Sequence, residues 1–199
     1  MKFVKFLTVL LVLLCAGCTT DADGDDFDAG KVCPISKRGV FTDDRDGRVY
    51  KYTAIGNQVW MAENLKKSMV DEPDGEYFDR GLAFVSCPQG WHLPSLDEWN
   101  VLFSRLGGDD IAGFRLKKSD GWVPLNQGDN GNGQDDCGFS LLPRYIGDAE
   151  DYGVKSTLWT SDRESTGNYV YILVTTYSNS VTERSDFPEH TKFVRCIKD

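Results

Sequence analysis

Four cysteines, Cys33, Cys87, Cys137 and Cys196, each at least 50 residues from the next, constrain this chain more than any other feature. Paired, they would close two very long loops; reduced, they would be four small apolar side chains. The N-terminus points to the compartment that decides. Lys2 and Lys5 precede an apolar run, Phe6 to Leu14, broken only by Thr8, and the small residues Ala16 and Gly17 follow. A stable membrane-crossing helix needs about 20 apolar residues. This shorter run, flanked by basic and then small residues, has the layout of a secretory signal. Cys18 follows the small pair and is read as the lipidated cysteine of a lipobox, with Cys15 where that pattern usually has Leu. The alternative is an ordinary signal peptide cut near Ala16. Several acyl chains, palmitate among them, would tether the protein stably where one would not. An even number of cysteines in an exported chain reads as two disulfides, with three pairings open. Zinc would want close pairs such as C-x-x-C, and His92 and His190 are isolated as well, so no metal centre is expected.

The chain carries 22 Lys and Arg against 31 Asp and Glu, a net charge of −9. Loss of Lys2 and Lys5 with the signal leaves 20 against 31, or −11. Such a surface repels phosphate backbones, so nucleic acid is not an expected partner. It also repels anionic headgroups, which leaves membrane attachment to the lipid anchor.

Three regions follow: a signal over 1–17, a lipidated acidic tether over 18–32, and one folded domain over 33–199. The tether holds Asp21, Asp23, Asp25, Asp26 and Asp28, too much like charge to collapse. Its alternating Asp spacing is similar to a calcium loop, but the position that needs Gly is Asp26 and the closing Glu is Val32. In the domain, Asp43 to Gly47 is turn chemistry with a hairpin signal at Asp46-Gly47. Strands are expected at Arg48–Ala54 and Gln58–Met61, and an irregular polar stretch at Ser68–Gly81. A helix is expected from Leu96 to about Leu106, opened by a Ser95/Glu98 capping box and ended by Gly107-Gly108. A second helix, Asp110–Lys118, would turn Ile111 and Phe114 inward. Ser119–Asp136 reads as a long loop, functional or mobile. Further strands are expected at Phe139–Leu142, Leu158–Ser161, Tyr169–Thr175, Ser180–Glu183 and Lys192–Ile197. Tyr169–Val174, apolar on both faces, belongs centrally in a sheet.

These motifs add up to a family. Phe41 to Tyr50 (FTDDRDGRVY), Ile55 to Leu65 (IGNQVWMAENL), Cys87 to Ser95 (CPQGWHLPS) with Glu98-Trp99, Gly138 to Pro143 (GFSLLP), Leu158 to Ser161 (LWTS) and Val194 to Asp199 (VRCIKD) stand in a fixed order. Together they closely resemble the Fibrobacter succinogenes major paralogous domain over about Phe41 to Asp199. That family is similar to the C-type lectin-like fold, so the resemblance implies an α+β domain. It would have a mixed or antiparallel sheet, one or two helices and long loops. It also implies a bridge from Cys87 to Cys196, which leaves Cys33 for Cys137. The acidic stretch after Cys18 resembles a surface-export signal of Bacteroidota-like lineages. The implied location is the outer membrane, with exposure at the cell surface.

Among candidate site residues, His92 has no nucleophile and orienting carboxylate by motif, and is read as fixing a strand-to-helix turn. Trp60, Trp91, Trp99 and Trp159 read as core. Trp122 opens a glycine-rich polar loop and could stack on a sugar face or buttress the loop. Asp129, Asn130, Asn132, Asp135 and Asp136 offer hard oxygen ligands that suit Ca²⁺, or form a solvated turn cluster. The calcium-dependent sugar motifs of lectins are absent, and no cofactor is expected. The reading that results is a cell-envelope lipoprotein with a non-catalytic binding or adhesion domain for glycans or envelope components. Its alternatives are an enzyme or enzyme accessory on the same scaffold, and a purely structural lipoprotein. The fold alone does not choose among them.

Overall fold

The acidic turn after Thr42 closes a hairpin in the computed structural model, which describes residues 27–66, 75–124, 126, 128–144 and 152–199. The signal segment, Cys18 and the acidic stretch up to Asp26 lie outside the described residues, as do positions 68–74 of the expected irregular stretch. The fold begins earlier than Cys33. Asp28 caps a one-turn helix, α1 (Ala29–Val32), and Phe27, Ala29 and Val32 pack on the core, so the expected tether is folded from Phe27 onward. Three apolar side chains within six residues offset the charge there.

The hairpin pairs β1 (Arg38–Asp43) with β2 (Arg48–Ile55), in register Phe41↔Tyr50. Buried Asp43 holds the turn by accepting from the Arg45 backbone at 3.1 Å and from its guanidinium at 2.7–3.2 Å. β3 (Gln58–Met61) continues the meander. Then come β4 (Tyr77–Phe78), inside the stretch expected to be irregular, a helix α2 (Arg80–Val85) that starts at its end, and β5 (Trp91–His92). The main helix α3 (Leu96–Arg105) has the expected capping box: Glu98 N–H donates to Ser95 Oγ, and Ser95 N–H donates to Glu98 Oε2. It buries Trp99, Leu102 and Phe103.

α4 (Asp109–Leu116) presents a different face from the one expected. Ala112, Gly113, Arg115 and Leu116 are buried, while Ile111 and Phe114 are only half-buried. A Cβ at Gly113 would run into the Ser180 carbonyl, and the Phe114 N–H leaves the helix ladder to donate to Asn179 O at 2.9 Å. The close approach of the chain at 179–180 sets the face, which helical periodicity cannot register.

β6 (Lys155–Arg163), β7 (Tyr169–Thr175), β8 (Val181–Asp186), β9 (Lys192–Phe193) and β10 (Ile197–Lys198) complete the domain. One sheet has order β1-β2-β3-β10-β5 and is antiparallel throughout; the other, β4-β9-β6-β7-β8, is mixed because β9 runs parallel to β6. The domain is therefore α+β. β7 lies between β6 and β8 but alternates buried and half-buried residues, so only one face is in the core. Phe139–Leu142 is not a strand: Ser140 takes φ 53°, and Leu141 makes one isolated bridge to Lys117. Lys192–Ile197 splits between β9 and β10 because Val194 to Cys196 crosses from one sheet to the other.

Trp60, Trp99, Phe103, Phe139, Leu158 and Phe193 lead one buried cluster; Tyr50, Phe78, Trp91 and Trp159 lead a second. Disulfides join Cys33 to Cys137 and Cys87 to Cys196, across 104 and 109 residues. This is the pairing the resemblance implies. Closing a loop of about 100 residues is worth about 4.7 kcal/mol in the chain-entropy model, and native bridges typically return about 2–5 kcal/mol. Replacing Cys87 and Cys196 by Ser is expected to lower unfolding free energy by that amount in urea titrations. Peptide mapping without reduction should recover both bridges, and a Cys33–Cys87 peptide would contradict this pairing.

Candidate functional site

Within the expected Ser119–Asp136 loop, Trp122 and the chain around Gly133 fold against the body of the domain. Trp122 is 3% exposed, and its indole N–H donates to Leu141 O at 2.9 Å. The ring belongs to the main core cluster, with Lys117 Nζ 5.4 Å from its centroid. It buttresses the loop and presents no face to a sugar. The glycine-rich sequence around it is what lets it be buried: a Cβ at Gly133 would strike the Lys117 and Phe114 carbonyls, and only a bare backbone closes there.

The oxygen-rich residues are turned to the same task. Asn132 Oδ1 accepts from the Trp122 backbone at 2.9 Å, and Asn130 Oδ1 from the Asn132 backbone at 3.1 Å. Asp129 accepts from the Asn126 amide at 2.9 Å. Asp135, at φ 54°, accepts from Ser140 N–H at 2.7 Å and from its hydroxyl at 2.8 Å. The Asp136 carbonyl takes the Arg38 guanidinium at 2.7 Å, and its carboxylate lies 4.0 Å from Arg115 Nε. These oxygens diverge into separate turns instead of converging on a point, and among the described residues no group of three His, Cys, Asp or Glu is placed to hold a metal. The loop is a built wall of the domain, held by Asx-type bonds.

His92 sits between two carboxylates. Nδ1 is 2.6 Å from Asp199 Oδ1 and Nε2 is 2.8 Å from Glu98 Oε1. Partial burial pulls its pKa down, but the bonds to Asp199 and Glu98 outweigh that and raise it. The burial of Glu98 is likewise outweighed, by the Ser95 N–H and His92, and its pKa is lowered. With both nitrogens engaged, the ring ties β5 and Asp199 to the start of α3.

The outer face of the mixed sheet carries an open groove of about 380 Å³. Lys155 and Thr157 come from β6, Tyr171 from β7, Asp186 from β8 and Lys192 from β9, with Arg144 and His190 at the rim. Lys192 is 5% exposed; its ammonium is 2.6 Å from Asp186 Oδ2 and lies 4.0 and 4.7 Å from the Tyr171 and Trp159 ring centroids. The other Asp186 oxygen is 2.6 Å from His190 Nδ1. Burial lowers the Lys192 pKa despite Asp186, and raises that of the Tyr171 phenol. Asp186 falls below the usual carboxylate range, because the bonds from Lys192 and His190 outweigh its own burial. A phenol, an imidazole and cationic donors on a rigid floor suit hydrogen bonding to an extended polyhydroxylated ligand. No local motif signals this groove, because its residues come from four separate strands and the segments beside them. Compared with protein-family models, curated proteins and solved structures, the chain matches none.

Two measurements test this account. Trp122→Ala should cost about 3–5 kcal/mol of stability, as a buried aromatic truncation does; a near-neutral value would return the ring to the surface. For His92, the folded pKa is raised above its ordinary 6.5. Its contribution is therefore complete below that value and is lost as pH rises through the raised one. The lowered pKa of Glu98 sets the acid limit, below its ordinary 4.5. The stability gap between wild type and His92→Gln should thus be larger at pH 5.5 than at pH 9, by about 1 kcal/mol or less for so exposed a pair. A gap that does not change with pH would contradict it.

Proposed function

We propose that this chain is a cell-envelope lipoprotein, tethered through acylated Cys18, whose domain binds glycans and catalyses nothing. On this reading the domain is of the Fibrobacter succinogenes major paralogous type, on a C-type lectin-like scaffold at the outer membrane, exposed at the cell surface. The observation that carries it is the groove on the mixed sheet, which sets polar and aromatic side chains from four hydrogen-bonded strands side by side. A single such site binds weakly. Many tethered copies acting together would supply avidity.

The His190–Asp186 pair, 2.6 Å apart at the rim, favours the enzyme alternative. A carboxylate-oriented imidazole in a groove is also how a general base is held.

Mass spectrometry of the membrane fraction should find Cys18 as the N-terminus, carrying acyl chains, and Cys18→Ala should release the protein or stall its processing. The mature chain in detergent should be retained on insoluble cellulose, hemicellulose or peptidoglycan. Lys155→Ala with His190→Ala should weaken retention about fivefold for each hydrogen bond of about 1 kcal/mol removed. Retention on none of the three would remove the glycan reading. Cleavage of a polymer, lost in His190→Asn, would favour the enzyme.

A further inference from the structure

A second cavity, of about 220 Å³, lies between β2, the segment after β3, and the turn at Ser140. Its charge runs against the rest of the molecule. Among the described residues Lys51, Lys66, Lys118 and Arg195 line it with one carboxylate, Glu63, in a chain whose net charge is −9, and Lys118 also reaches the exposed Asp120 at 2.8 Å. Lys51 is exposed at the mouth, Lys66 and Lys118 are half-buried, and Arg195 is 1% exposed at the floor.

Arg195 is an unusual floor. Its Nε and one terminal nitrogen donate to Asn64 Oδ1 at 3.0 and 2.7 Å, and the other terminal nitrogen donates to the Met61 and Phe139 carbonyls. All of these acceptors are neutral. Among the described residues no carboxylate touches the guanidinium; Asp135 and Glu63 act on it only at a distance. A buried charge with neutral acceptors alone is under-compensated, and an anion above it would make up the deficit. The wall is preorganised as well. Asp135 holds Ser140 in its left-handed conformation (φ 53°), a strained state that persists only where the surroundings impose it. The cavity exceeds a bare inorganic anion, and Ala62 and Leu142 add apolar surface beside the polar groups.

We infer that this cavity is a binding site for an acidic sugar, its carboxylate held by the lysines and Arg195 and its ring packed on Leu142. The inference rests on the glycan reading above only for the choice of a sugar as the carrier. Charge-assisted bonds to a carboxylate are the strong kind, and the exposed lysine at the mouth makes the attraction sensitive to salt.

The test is titration of the full mature chain in detergent with glucuronate and galacturonate, followed by calorimetry and by the shift in thermal midpoint. Glucose and inorganic phosphate are run beside them. Saturable uronate binding that weakens with added salt, with glucose inert and phosphate weaker, is expected. Lys51→Ala with Lys118→Ala should weaken it at least about tenfold, since each removes a hydrogen bond to a charged group. Lys51→Arg should preserve it, and both variants should keep the wild-type thermal midpoint without ligand. No uronate binding, or a double alanine variant that folds and binds as wild type, would overturn the inference. Phosphate binding as tightly as uronate would overturn the sugar assignment. Retention on neutral cellulose without uronate binding would sink this inference and leave the proposed function standing; uronate binding without retention would do the reverse.

Discussion

Arg195 is the interaction on which the rest of the structure depends. It sits in the short crossing between β9 and β10, where the chain leaves one sheet for the other. Its guanidinium ties that crossing to Asn64 and Met61 on one side and to Phe139 on the other, and lies 4.5 Å from the Phe139 ring centroid. Its neighbours lock the same point: Val194 O accepts from Leu65 N–H at 2.8 Å, Cys196 O accepts from Met61 N–H at 3.0 Å, and Cys196 is bridged to Cys87. Burial pushes its pKa down to about 9, so at neutral pH the group is still a cation. Removing only the side chain would leave buried carbonyls and an amide oxygen without donors, the costly half of breaking a buried network.

The same device recurs through the domain. Among the described residues Arg80, Arg115, Lys117, Lys192 and Arg195 are all buried, against one buried carboxylate, Asp43. Each lies against an aromatic ring: Tyr169, Phe27, Trp122, Tyr171 and Phe139 respectively. Four of them donate to backbone carbonyls where segments distant in sequence meet, as Arg80 does to Ser161 O and Lys117 to Thr175 and Ser178 O. Burial lowers the pKa of all five, that of Lys117 to about 8. An aromatic face and a carbonyl together reduce the cost of holding such a group away from water without cancelling it. An acidic chain thus sends cations inward and leaves its carboxylates outside, so its surface is more acidic than its composition implies.

That arrangement also relocates the binding surfaces. A glycine- and asparagine-rich loop would ordinarily be free to meet a ligand. Here its polar groups are spent on its own turns and its tryptophan on the core, so the loop becomes a wall. The surfaces proposed for recognition are instead a sheet face, rigid because four strands supply it, and a cavity floored by Arg195. Both are preorganised, which lowers the ordering cost of a weak, multivalent contact.

Features encoded within a few residues were legible in the sequence. The Asp43 turn and the Ser95/Glu98 box depend on neighbours one to four positions away, and local hydrogen bonding decides them. The two disulfides became legible through a family resemblance spanning most of the chain, because spacing alone leaves three pairings open. Other features were settled only by chain segments that meet in space. The inward face of α4 depends on the backbone at 179–180, the burial of Trp122 on Leu141, and the break in the last strand on which sheet each half can reach. The groove and the basic cavity gather residues up to 144 positions apart, from Lys51 to Arg195, and no periodicity links them. A sequence states which groups a chain carries and how its near neighbours bond. Which distant groups share one wall is decided by closing the core, since close packing admits few ways to bring two sheets and a buried guanidinium together.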